Sequence, residues 1–280
     1  MQATRHWIRL GTVLIGSLAL AGCGGGSSTT NYNGSTVVGQ VLMGPAASGG
    51  AVNGSGTNNI CAYALVNGQG NPLNTTVTPY INTGTVLDCV PTAADGSFSM
   101  DLTSFYGPVL LQVSGGTFGY KGATYALNSL TSTALGLAAS ASNAALATNA
   151  SLEAMVNVGG GGTVHVMVTP LTTFAVARIT PNSGQTMGAY ATSLGVIAQE
   201  FGLGSVDLTS AVPAVAPDPY GMALLGVDQY LATMTPIGSS TNDPYAANFL
   251  TWNNLAQVSA DYTAAYNAAN GTSGVSFSFQ

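Results

Sequence analysis

The chain has 280 residues and a net charge of −6, and only 5% of its residues are charged, against roughly 25% in ordinary soluble domains. Its four Lys and Arg side chains leave no basic footprint, which excludes DNA and RNA as partners. A hydrophobic content of 46% supplies a core for one or two domains and excludes a disordered tail.

The first residues have the parts of an export signal. Arg5 and Arg9 form a basic region, Leu10 to Leu20 form an apolar stretch, and the small pair Ala21-Gly22 comes immediately before Cys23. The apolar stretch is too short to span a bilayer as a helix. We therefore expect an export signal over residues 1–22.

This segment resembles a bacterial lipoprotein signal more closely than an ordinary cleaved secretory signal. The resemblance implies that residues 1–22 are removed and that the Cys23 thiol is acylated, with palmitate as a typical acyl group. Gly24, and not an aspartate, follows the cysteine, which in such lipoproteins implies passage to the outer membrane. The expected location is thus the outer membrane, facing either the periplasm or the cell surface.

A tether follows, over residues 23–35. Residues 24–35 read GGGSSTTNYNGS, which has no apolar periodicity and the composition of a flexible linker. The folded part is expected to begin near Thr36.

Two cysteines remain once Cys23 carries lipid. Cys61 and Cys89 form an even pair in an exported chain, where a structural disulfide is the default. The alternative is two separately buried thiols.

Short β-rich runs separated by Gly, Pro and Asn clusters follow the tether. They predict strands over Val37–Met43, Ile60–Val66, Thr85–Val90, Ser97–Leu102 and Val109–Ser114. Such spacing predicts a β-sandwich over residues 36–128. Asp95-Gly96 predicts a tight turn, after which Phe98 and Met100 should face the core.

The same strands carry a set of motifs: Gly39-Gln40-Val41, Gly44-Pro45, Ala51-Val52, Ala62 to Leu65, and Asp95 to Phe98. This set resembles a carboxypeptidase regulatory-like domain, which is a prealbumin-like β-sandwich, and its motifs are structural, not catalytic. VTPLTT at Val168 to Thr173 and PYGMALLG at Pro219 to Gly226 are similar to segments of uncharacterised exported bacterial lipoproteins. In those proteins a helical region follows the sandwich.

After about Ser129 the apolar period changes from two toward 3.6, which predicts an α-helical domain over residues 129–270. The Ala- and Leu-rich segment Ser132–Val156 is interpreted as a helix that could be broken near Asn149. A second helix is predicted over Met187–Phe201, ended by Gly202. The predicted fold is therefore α+β, with the prealbumin-like sandwich first and the helices after it.

Three more helices are predicted from a shared start signal, an N-cap residue followed by proline. The three pairs are Thr169-Pro170, Asp218-Pro219 and Asp243-Pro244. The third begins an aromatic face that continues through Tyr262 and Tyr266 and is interpreted mainly as core packing. Residues 271–280 are expected to be a tail, or an edge strand in which the alternating Val275–Phe279 adds to the sandwich or to another subunit.

Groups that could catalyse a reaction are scarce. Beyond the signal the chain keeps one histidine, His165, within the alternating segment Val164–Val168, where we expect a solvent-facing strand residue and not a ligand or base. The motifs G-x-S-x-G, H-E-x-x-H and C-x-x-C do not occur in the sequence. Asp88, Asp95 and Asp101 could meet at one sheet edge, but calcium loops carry denser oxygen ligands than these. No catalytic residue, metal site or cofactor is predicted.

The sequence therefore favours a non-catalytic lipoprotein, anchored in a membrane through its N-terminal lipid. Its expected role is adhesion, envelope organisation or association with proteins, including copies of itself. The alternative is a module that binds a small hydrophobic or saccharide ligand, and a third hypothesis is an exported hydrolase. The low charge also suggests tolerance of acid, or else a polar surface selected for cohesion.

Overall fold

The computed structural model of the chain describes residues 34–66, 81–127, 152–179, 186–233 and 259–280. These residues contain nine strands and four α-helices, numbered below in chain order, and the fold is α+β. The signal segment, Cys23 and the predicted helix start at Asp243-Pro244 lie outside the described residues.

One sheet has three strands in the order β4-β1-β9. These strands are β1 (Ser35–Val41), β4 (Ser97–Leu102) and β9 (Thr163–Val168). Strand β1 lies antiparallel to β4 and parallel to β9. The parallel pair brings Gly39 so close to β9 that a Cβ on this residue would lie 1.8 Å from the Val166 carbonyl oxygen. In the Gly39-Gln40-Val41 motif, the glycine therefore allows β1 and β9 to pack closely.

The second sheet has four antiparallel strands in the order β3-β2-β5-β8. They are β2 (Ile60–Val66), β3 (Ile81–Val90), β5 (Gly107–Val113) and β8 (Leu152–Val158). A separate hairpin pairs β6 (Thr117–Tyr120) with β7 (Ala123–Ala126).

All five predicted strands are confirmed, two of them (β2 and β4) at the predicted bounds. The turn before β4 is also present, with Gly96 at φ 79°. Phe98 and Met100 are buried while Ser99 and Asp101 are exposed, as the alternation predicts. Local pattern is sufficient here because one face of β4 covers the core and the other meets water.

The predicted helix over Ser132–Val156 is wrong for its described end, because Leu152–Val156 belongs to β8. Strand β8 pairs with β5 over its whole length and buries Leu152, Ala154 and Val158. These interactions outweigh the helix propensity of the Ala-rich stretch. Strands β8 and β9 thus come from the region predicted to be helical and complete sheets that begin before residue 128. The strand expected around His165 is confirmed as β9.

The helices are α1 (Pro170–Ile179), α2 (Met187–Glu200), α3 (Pro219–Thr233) and α4 (Ser259–Asn270). Two of the three predicted proline starts are confirmed. Thr169 Oγ1 accepts a hydrogen bond from the Thr172 N–H at 3.3 Å, and Asp218 Oδ2 accepts one from the Gly221 N–H at 2.8 Å. Helix α2 is also confirmed, and Gly202 follows it at φ 70°.

Val275–Phe279 forms no strand in the chain, so the edge strand considered for the sandwich is not present. Its two phenylalanines instead join the aromatic residues of α4: the Phe277 ring centroid lies 4.9 Å from that of Tyr262, and Phe279 lies 5.3 Å from Tyr262. Burial of Phe279 and partial burial of Phe277 against this aromatic cluster favour the observed conformation over an exposed edge strand. Tyr262 and Tyr266 are buried, which confirms the core interpretation of this part of the aromatic face.

Both sheets and all four helices contribute to a single buried cluster. Met100 of the first sheet, Leu110 of the second, and Phe174, Ile197 and Tyr220 of the helices belong to it. The described residues consequently form one unit with one core.

Candidate functional site

A groove of about 520 Å³ lies between strands β8 and β9, helix α2 and the segment after that helix. We call it the β8–β9 groove and define it by residues 155–157, 164–166 and 204–209 together with six residues of α2: Met187, Tyr190, Ala191, Leu194, Gly195 and Ala198. Met155, Val164, Met187 and Leu194 make most of its wall apolar. Gly195 also lines it, and a Cβ on this residue would meet no atom within 4 Å.

The edge of β9 that faces away from β1 is open next to this groove. The carbonyl groups of Gly162 and Val168 accept hydrogen bonds from β1 and its continuation. Because backbone groups alternate sides along a strand, those of Thr163, His165 and Met167 point the other way. The Met167 N–H donates to the Thr209 carbonyl at 2.8 Å, whereas those of Thr163 and His165 have no hydrogen-bond partner among the described residues.

Strand β8 also turns an edge toward the groove. The Glu153 N–H donates to Thr173 Oγ1 at 2.8 Å, and the Glu153 carbonyl accepts from Thr172 Oγ1 at 2.9 Å, so both groups point away from β5. By the same alternation the backbone groups of Met155 and Asn157 point outward as well. Helix α1 covers this edge at Glu153, whereas the Asn157 backbone has no hydrogen bond outside the sheets among the described residues.

Tyr190 of α2 reaches the groove from below and is only 1% exposed. Its hydroxyl makes no hydrogen bond of ordinary length and angle, although the Met155 backbone lies close enough to affect its pKa. Burial is the main cause that raises the pKa of Tyr190 above its usual value. The hydroxyl therefore stays neutral and keeps its donor and acceptor capacity.

The groove contains one carboxylate and one imidazole. Desolvation is the largest single effect on Asp207 and would raise its pKa, but the hydrogen bonds from Thr209 and Ser210 together outweigh it and lower the pKa. Thr209 Oγ1 and Ser210 Oγ each donate to this carboxylate at 2.7 Å. His165 is exposed, as predicted for a solvent-facing strand residue. The groove thus holds a fixed negative charge at its rim and a neutral, apolar interior.

Cys61 and Cys89 are joined by a disulfide, with their sulfur atoms 2.02 Å apart. They are direct partners in the register of β2 and β3, and their Cα atoms lie 4.1 Å apart. The pairing expected from the sequence is therefore the one that the structure contains. Cys23 lies outside the described residues.

The three aspartates considered as calcium ligands each bind a neighbouring group. Asp88 accepts from the Cys89 N–H, Asp95 from Ser97, and Asp101 from the Thr103 N–H. Within the described ranges, His, Cys, Asp and Glu side chains do not gather in a group of three or more that could hold a metal ion.

The VTPLTT and PYGMALLG segments meet in the core. Thr169 Oγ1 and the Tyr220 hydroxyl lie 2.9 Å apart, and the Tyr220 hydroxyl also lies 3.2 Å from the Leu208 carbonyl. Gly221 allows the Ala214 carbonyl to approach, because a Cβ on it would lie 1.7 Å from that oxygen. These motif residues position α1 and α3 and contribute no reactive group to the groove.

Two buried carboxyl groups were not singled out from the sequence. Asp228 of α3 is fully buried, neither of its oxygens has a hydrogen-bond partner, and burial raises its pKa well above the usual value. A signal existed, since Asp228 follows Tyr220 and Leu224 at intervals of four on the buried face of α3.

Glu153 is the second buried carboxyl. Desolvation raises its pKa to about 7, against the opposing effect of a hydrogen bond from Gln112. Gln112 Nε2 donates to Glu153 Oε1 at 3.0 Å across the β5–β8 pair. The residue keeps some exposure overall, but its carboxyl group lies on the enclosed side. Only the pairing of β8 with β5 places this glutamate beside Gln112.

Neither a family model nor a curated protein matches this chain. None of the helices in the part of the chain that the structure describes is both long and apolar enough to cross a membrane.

Proposed function

We propose that this protein is an exported lipoprotein, held at the outer membrane by acylated Cys23, that works by non-catalytic association with other proteins. The observation that carries the proposal is the Leu20-Ala21-Gly22-Cys23 sequence behind a basic and apolar segment. Acyl chains on Cys23 would stabilise membrane binding by about 0.8 kcal/mol for each buried methylene.

The Cys61–Cys89 disulfide supports export, because disulfides persist in oxidising compartments. It also uses both of the other cysteines, which leaves Cys23 as the one cysteine available for acylation. The two-sheet arrangement and the Gly39 and Gly96 motifs are compatible with a prealbumin-like sandwich, and we include that assignment in the proposal.

Membrane fractionation tests the anchor. Cys23→Ser should move the protein from the membrane fraction to the soluble fraction, whereas the membrane association of a Cys61→Ser/Cys89→Ser variant should be unchanged. Mass spectrometry of the wild-type N-terminus should find an acylated cysteine. An unmodified Cys23 at the mature terminus, or membrane association of Cys23→Ser, would contradict the proposal.

A second candidate is a binding module for a small hydrophobic ligand, and the β8–β9 groove favours it. Its volume, its apolar wall and the unpartnered Tyr190 hydroxyl are features of small-molecule sites. Native mass spectrometry of the purified protein should then show a bound mass that is lost in Gly195→Phe, a change that fills the groove.

A further inference from the structure

Two strand edges with unused hydrogen-bonding groups face the same groove. Thr163 and His165 of β9 offer N–H and carbonyl groups on one side, and Asn157 of β8 offers them on the other. Each of these strands is the last of its own sheet. Open edges of this kind are templates for a further strand, and soluble proteins ordinarily cover or charge them.

The groove beside these edges has the surface that an added strand requires. Its wall offers apolar contacts from Val164 and Leu194, and the Tyr190 hydroxyl is a buried polar atom without a partner. A short stretch of the β9 edge already carries a backbone hydrogen bond from another segment, since the Thr209 carbonyl accepts from the Met167 N–H.

We propose that the β8–β9 groove binds an extended segment of a partner polypeptide, which adds as a strand to the open edge of β9 at Thr163 and His165. The proposal rests on the association function given above and names the kind of partner. In strand addition the main-chain hydrogen bonds supply affinity, and pockets for alternate side chains supply specificity.

Charge complementarity indicates the chemistry of the segment. Asp207 places an ionised carboxylate at the rim, and no Lys or Arg lines the groove. A segment that carries Asp or Glu would be repelled, while one with uncharged, apolar side chains at alternate positions would fit the wall. The favoured partner is therefore an uncharged or basic strand-forming segment.

The test begins with a displayed library of random heptapeptides, selected in parallel on the full chain and on its Gly195→Phe variant. This substitution places a ring in the groove, where a Cβ at residue 195 has open space. We expect peptides that are enriched only on the wild type, rich in Val, Ile and Thr at alternate positions and poor in Asp and Glu. Absence of any wild-type-specific enrichment would overturn the proposal.

A synthetic copy of an enriched peptide then tests the binding mode. Methylating alternate backbone nitrogens removes the donors on one edge and should weaken binding about tenfold or more. His165→Pro should weaken it similarly, since proline removes the outward N–H, whereas His165→Ala, which keeps that N–H, should bind within about twofold. Unchanged affinity of both alternately methylated peptides, each lacking the donors of one edge, would refute strand addition even if His165→Pro failed to fold.

Two controls separate the alternatives. Ala191→Phe fills the same groove from the next turn of α2 and should reproduce the loss if Gly195→Phe proves unstable. The wild type could bind the dye N-phenylnaphthylamine, with both variants losing this binding, while no peptide is enriched. That outcome would assign the groove to small apolar ligands and overturn the proposal. These outcomes are independent of the anchor, because the fractionation of Cys23→Ser reports the anchor alone.

Discussion

The strands that precede residue 128 and the helices that follow β9 treat their buried polar groups differently. In the strand region, Asn59 donates to Thr92 Oγ1 and accepts from the Thr92 N–H, and the disulfide joins β2 to β3. Among the described residues, the buried side-chain atoms without a partner all belong to α2, α3 and α4: Tyr190, Ser193, Asp228 and Asn270. Satisfied polar groups stabilise a fold, whereas unsatisfied ones reduce its stability and often mark function. The comparison places structural support in the strand region and the candidate binding surface beside α2.

The largest effect should come from the strand region. Replacing both cysteines, Cys61→Ala with Cys89→Ala, removes a link between residues 28 positions apart. The chain-entropy model assigns such a link about 3 to 4 kcal/mol, acting through the unfolded state. Urea unfolding should show this loss, and reduction of the wild type should show a similar one. A loss below about 1 kcal/mol would mean that the strand region does not depend on its covalent link.

Asp228 should produce the next largest effect, with a definite dependence on pH. Burial raises the pKa of Asp228 in the folded state. The contribution of this residue to the free energy of unfolding is therefore most favourable below about pH 4, and it is lost as the pH rises through the folded pKa. Asp228→Asn should therefore raise the free energy of unfolding at pH 8 by about 1 to 3 kcal/mol, with little change at pH 4.

Asp261→Asn is the matched control for Asp228, because this residue is an exposed carboxyl on α4. Urea unfolding of both variants from pH 4 to 8 should flatten the pH dependence only for Asp228→Asn. If the free energy of unfolding depends on pH equally in the two variants, the buried Asp228 carboxyl does not destabilise the folded protein at high pH.

Glu153 should also make the folded protein less stable as the pH rises, but over a narrower pH range than Asp228. With a folded pKa of about 7, its contribution to stability is lost between about pH 4.5 and pH 7 to 8. Glu153→Gln keeps an acceptor for Gln112, and it should stabilise the protein by about 1 to 2 kcal/mol at pH 8 and hardly at pH 4. Together with Asp228, this predicts greater stability in mild acid. A thermal midpoint that falls from pH 8 to pH 5 would contradict that expectation.

The smallest effect should come from His165, on the exposed side of β9. His165→Ala should change the free energy of unfolding by less than about 0.5 kcal/mol, because an exposed strand residue has few contacts to lose.

Tyr190→Phe, in the wall of the same groove, should also have a small effect. That change removes an unpartnered buried hydroxyl and should stabilise the protein slightly, by about 0.5 to 1 kcal/mol in urea unfolding. Turnover of any substrate that disappears with His165→Ala would instead favour the hydrolase hypothesis.

Much of the fold could be predicted because its signals are local. The strands β2 and β4, the turn at Gly96 and the capped starts of α1 and α3 each follow from alternation or from a residue type with a fixed backbone preference. The disulfide followed from counting cysteines. Strand β8 could not be predicted in this way, since an Ala- and Leu-rich segment favours a helix until β5 is available to pair with it.

The sequence by itself determined the composition with few charges, the Leu20-Ala21-Gly22-Cys23 motif on which the proposed acylation rests, and the expectation that Cys61 pairs with Cys89, because each depends on residue identity and on neighbours along the chain. Only the tertiary structure brought β8, β9 and α2 around one groove, left the edge of β9 open there, and buried Glu153 and Asp228. The physical reason is that hydrogen-bond satisfaction and desolvation depend on residues distant in sequence. Tyr190 is an ordinary helix residue in the sequence, and only packing in the folded protein buries its hydroxyl beside the groove.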